Sequence, residues 1–74
     1  MDELTVHKID FFVALIDELA RHFVMSSRDT YLYVRQYGGV TAFFEHYDVL
    51  HTLSFHDMVD WMIGVCSRNG GNLR

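Results

Sequence analysis

The chain contains no proline, and its glycines fall only at Gly38-Gly39, Gly64 and Gly70-Gly71. Apolar runs free of proline and punctuated by glycine pairs suit helices and their ends, not strands and hairpins. Early in the chain, Val6, Ile9, Phe12, Val13, Ile16, Ala20 and Phe23 recur at the spacing of one helix face. Asp10, Asp17 and Arg21 occupy a polar flank of the same segment. The pattern predicts a first helix over about residues 4–24.

Met25-Ser26-Ser27 breaks that pattern, and Ser26 precedes Asp29 by three residues, as in a capping box. A second helix follows over about 27–37, with Thr30, Tyr33, Val34 and Tyr37 on one side and Gly38-Gly39 as its stop. Thr41 is positioned to cap a third helix over about 41–50, with Phe43, Phe44, Tyr47 and Leu50 as its apolar positions. Ser54 and Asp57 mark the fourth start, flanked by Leu53 and Met58 as a hydrophobic staple. Phe55, Met58, Val59, Met62, Ile63 and Cys66 then form a stripe over about 54–69, ended by Gly70-Gly71. The expectation is an all-α fold, a compact bundle of four short helices with no sheet. Ile9, Phe12, Val13, Ile16, Val34, Tyr37, Phe43, Tyr47, Val59, Met62 and Ile63 are expected inside.

With 74 residues, half of them hydrophobic, the chain is expected to be one domain over 1–74, with 69–74 as a flexible tail. So small a core leaves a few kcal/mol of stability at most, which makes an oligomer or a partner the expected support. The lone Cys66 cannot form an internal disulfide and fits a cytoplasmic protein. No signal peptide is recognisable, and no apolar run approaches the roughly 20 residues of a membrane span. A net charge of −4 disfavours a phosphate-binding surface.

The element Tyr47-x-x-Leu50-His51-Thr52, with Tyr37-Gly38 before it and Arg68-Asn69-Gly70-Gly71 after it, resembles a family of small bacterial proteins known as a domain of unknown function. The resemblance spans Tyr31 to Gly71; the first helix matches only as a generic amphipathic helix. It implies a short all-helical protein. Genes of that family often lie beside genes for proteins resembling ADP-ribosyltransferase toxins, which implies a toxin–antitoxin partnership. It carries over no catalytic residue.

The residues themselves argue against catalysis. His46, His51 and His56 are five apart, so each successive ring turns by roughly 140° and no helical face holds all three. His51 lies where a helix ends and its ring can bond a free carbonyl, with Thr52 serving the adjoining backbone; both are expected to fix a corner. Cys66 lies on an apolar stripe, where a thiol is inert. No enzyme activity, cofactor or metal is expected.

Three large apolar residues fall off the stripes. Trp61, Leu32 and Phe11 are expected to face outward, with Arg28 and Arg35 beside Leu32, as a partner-binding surface. The expected function is a non-enzymatic protein-binding module, the antitoxin-like or regulatory partner of a co-encoded toxin-like enzyme. The alternatives are a small DNA-binding repressor using Arg28 and Arg35, or a homo-oligomeric structural protein.

Overall fold

A computed structural model describes residues 2–74, and every regular element in it is helical. The elements are α1 (Glu3–Phe23), α2 (Ser27–Gln36), α3 (Gly39–Glu45), α4 (Tyr47–Leu50) and α5 (Phe55–Arg68). The all-α expectation holds, with one difference in number. The third expected helix is two: it starts at Gly39, not behind Thr41, and breaks at His46 (φ −108°, ψ 16°). No glycine or proline announces that break. It redirects the chain so that Phe43 on one side and Tyr47 and Leu50 on the other all enter the core.

The helix starts follow their sequence signals. Ser26 Oγ accepts from the Asp29 amide at 3.0 Å, and Ser54 Oγ accepts from the Asp57 amide at 3.1 Å. Each bond satisfies a first-turn donor that the helix leaves free. Asp2 does the same for α1, accepting from the Thr5 amide at 2.7 Å, and that bond holds its carboxyl below the ordinary range. Gly38, at φ +77°, ends α2 and caps α3 in a single left-handed residue.

Two local features run against these rules. Val24 closes α1 in the left-handed region (φ 57°, ψ 50°) and is 90% exposed, so no buried contact offsets its strain. A β-branched residue there costs about 1–2 kcal/mol, while glycine loses roughly 0.4–1 kcal/mol more chain entropy on folding. Val24→Gly should therefore raise stability by about 0.5–1 kcal/mol, read as a melting temperature a few degrees higher. The second feature is Thr30, fully buried with no hydrogen-bond partner for its Oγ1. A stranded hydroxyl costs about 1–3 kcal/mol, so the near-isosteric Thr30→Val should stabilise by about 1 kcal/mol in urea denaturation. An unchanged midpoint would mean that the hydroxyl is satisfied in solution.

The core gathers Phe12, Leu15, Ile16 and Leu19 from α1, Val34 from α2, Phe43 from α3, Tyr47 and Leu50 from α4, and Met58, Val59, Met62 and Cys66 from α5. Seven of the eleven residues expected inside are buried: Phe12, Ile16, Val34, Phe43, Tyr47, Val59 and Met62. Tyr37 and Ile63 are half-buried against them. Ile9 and Val13 are exposed, a correction to the expected core. The true inner face of α1 comprises Phe12, Leu15, Ile16, Leu19 and Ala20, and its centre is rotated by roughly 50° about the helix axis from that of the expected stripe. The rotation follows from the neighbours: α1 packs against both α2 and α5, and the two contacts together choose the arc that is covered.

The C-terminal segment expected to be a flexible tail is tied to α2. The Asn69 side-chain amide donates to the Tyr37 carbonyl at 2.8 Å, and the Leu73 amide donates to the Tyr33 hydroxyl at 3.1 Å. The Gly71 amide also closes back onto the Cys66 carbonyl at 2.8 Å. At Gly71 a Cβ would lie 2.2 Å from the Tyr33 hydroxyl, so glycine is what lets the tail approach.

Candidate functional site

The uncovered apolar surface of α1 is the feature on which a function can be built. Val6, Ile9 and Val13 are 42%, 38% and 52% exposed, although they continue the line of Ile16 and Ala20, which are buried. Single exposed apolar residues need no explanation, but a row along one helix face is a different matter. On one side the row meets a groove of about 370 Å³ lined by Phe12, Val13, Ile16, Asp17, Ser27, Arg28 and Tyr31, whose surface is almost wholly apolar. Phe12 forms its floor and holds the rings around it. Its ring lies 6.3 Å from Tyr31 and 5.7 Å from Phe44, both of them exposed at the surface. The Ser27 hydroxyl donates to the Asp17 carboxylate at 2.8 Å, pinning the start of α2 to α1.

The residues expected at a partner surface separate into three places. Arg28 lines this groove, and Leu32 and Arg35 follow it along the exposed face of α2. Phe11 does not face outward: it is half-buried, stacked at 5.6 Å on Phe55 and edge-on at 5.9 Å to Tyr47. Trp61 is also half-buried against the core, with its ring 5.9 Å from His46. Phe11 is covered because Tyr47 and Phe55 close over its side of α1, and Trp61 because the corner between α3 and α4 brings His46 against it.

That corner accounts for Tyr47, Leu50, His51 and Thr52. Tyr47 and Leu50 are buried, while the Thr52 hydroxyl donates to the Val49 carbonyl at 2.6 Å. His51 acts differently from the expectation, stacking its ring on Tyr47 at 5.2 Å instead of bonding a free carbonyl. The Lys8 ammonium sits 5.4 Å from the centre of the same tyrosine ring, a cation–π contact that fastens α1 to the corner.

His46, His51 and His56 do not converge, although His56 shares a groove between α1 and α5 with His22. His46 meets Trp61, His51 meets Tyr47, and His56 lies 3.5 Å from Asp60. His56, Asp57 and Asp60 place one ligand atom each within 4.8 Å of one another, but all three are exposed on the first turns of α5. Exposed acidic groups at such distances are common without an ion, so the cluster alone does not make a metal centre. Cys66 is buried, and burial pushes its thiol pKa up, away from the thiolate that nucleophilic chemistry needs. No helix is long and apolar enough to cross a membrane.

Residues 10–69 match a family described as a protein of unknown function (DUF3791). Nothing among curated proteins and nothing among solved structures matches the chain.

Proposed function

The chain belongs to this family of unknown function, and from its geometry we propose that it is a protein-binding module without catalytic activity of its own. In this reading it is the neutralising or regulatory partner of a toxin-like enzyme encoded beside it. The observation that carries the proposal is the uncovered row Val6, Ile9 and Val13, running into the apolar groove between α1 and α2. Arg28, Leu32 and Arg35 extend the same surface along α2 and would contact a larger partner. Keeping this much apolar surface in water gives a domain of this size nothing in stability. Covering it on association releases roughly 25 cal/mol per Å² of apolar area buried.

Co-expression with the product of the adjacent gene tests the proposal. A complex should survive gel filtration and be lost when Val13→Asp places a charge in the groove, while the free variant keeps its melting temperature. A protein that elutes alone beside that product would overturn the partnership.

A further inference from the structure

The spacing of the uncovered row says what shape of partner fits it. Val6, Ile9, Val13, Ile16, Ala20 and Phe23 alternate by three and four residues, the seam along which one helix packs lengthwise on another. The C-terminal half of this seam already has its helix. Ile16 and Ala20 are buried, and Phe23 sits 6.0 Å from Tyr33 of α2. The N-terminal half is bare because α2 is too short. The 21 residues of α1 span about 31 Å, whereas the ten of α2 span about 15 Å. The open half therefore continues an interface that within this chain is already filled by a helix.

Charge selects between occupants. Glu3 and Asp10 stand seven residues apart on one flank of the open half, and neither is in an ion pair among the described residues; Asp17, seven further on, is already engaged by the Ser27 hydroxyl. The nearest lysine, Lys8, turns away to the Tyr47 ring. The opposite flank is aromatic, with Phe12, Tyr31 and Phe44, while Arg28 lines the groove at the α2 end together with Asp17. A second copy is a poor fit. An antiparallel self-pairing would set one acidic flank against the other, on chains that each carry a net charge of −4.

We propose that the N-terminal half of α1 docks a basic amphipathic helix of a partner protein. The apolar face of that helix lies on Val6, Ile9 and Val13, and its lysines or arginines face Glu3 and Asp10. The inference rests on the protein-binding reading above and specifies what that surface accepts.

Two synthetic amphipathic peptides test it against the full chain. One has leucines at heptad positions and lysines on both flanks; in the other, every lysine is replaced by glutamate. Fluorescence anisotropy should show the lysine peptide binding at least ~10-fold more tightly than the glutamate peptide, a preference that fades with salt. Ile9→Asp should abolish binding without lowering the melting temperature, and the double variant Glu3→Lys/Asp10→Lys should reverse the preference. Equal binding of the two peptides, or a dimer in sedimentation that Ile9→Asp dissociates, would overturn the basic helix as occupant and leave the protein-binding reading standing. Absence of peptide binding and of self-association, together with failure of the co-expression complex, would overturn both.

Discussion

Phe43→Ala should leave most of the protein unfolded at room temperature. Phe43 is fully buried where three helices meet, with its ring 5.1 Å from Phe12 and 6.0 Å from Tyr47. Truncating a buried phenylalanine removes its transfer free energy and leaves a cavity, together about 3–5 kcal/mol. A core of this size supplies only about 3–5 kcal/mol in total, so the loss is comparable to the whole. The neighbouring Phe44→Ala provides the control, because Phe44 has the same chemistry and stands on the surface. Its cost should be smaller, about 1–2 kcal/mol, because its ring keeps 36% of its surface in water while it touches Phe12 and Phe43. Circular dichroism at 222 nm on the two variants should show one unfolded protein and one still folded. Equal melting temperatures would overturn the assignment of Phe43 to the core.

Gly39→Ala and Gly64→Ala should move stability in opposite directions, although both glycines lie inside helices. Taken alone, helix propensity favours alanine by about 0.8–1 kcal/mol at Gly64, in the interior of α5, and by less at Gly39, the first residue of α3. At Gly39 a Cβ would come within 2.5 Å of Val34 Cγ1 and 2.6 Å of Met62 Sδ. Both of those side chains are fully buried, so neither can retreat without disturbing the core. Overpacking of this kind costs about 1–3 kcal/mol and outweighs the propensity gain. At Gly64 the only neighbour is the end of the Arg68 side chain at 3.3 Å, which can swing into solvent. Gly64→Ala should therefore raise the melting temperature by a few degrees, and Gly39→Ala should lower it by about 4–8 °C per kcal/mol lost. A stabilised Gly39→Ala protein would mean that α2, α3 and α5 pack less closely than the structure shows.

The starts of α2 and α5 were legible in the sequence because capping is local. Ser26 with Asp29 and Ser54 with Asp57 need only three residues of chain to make their bonds, so spacing alone reveals them. The helical period was legible for the same reason, and so was the inert setting of Cys66 on an apolar stripe. The inner face of α1 was not. Its apolar arc holds two overlapping rows, Phe12, Leu15 and Leu19 in one and Val6, Ile9 and Val13 in the other, and only the neighbours decide which is covered. An apolar arc wider than one layer of neighbours can cover was itself the signal that a surface would be left bare.

The sequence by itself determined that this chain is helical, where its serine-capped helices begin, and that a polar flank with Asp10, Asp17 and Arg21 runs along the first. Each of these depends on interactions within a few residues, where periodicity and hydrogen-bond reach leave few alternatives. Only the tertiary structure decided the break at His46, the tying of the C-terminal segment through Asn69 and Leu73, the inward turn of Phe11 and Trp61, and the exposure of Ile9 and Val13. Those outcomes depend on the lengths of elements far apart in the chain. A ten-residue α2 laid against a 21-residue α1 leaves half a seam open, and no local rule contains that difference.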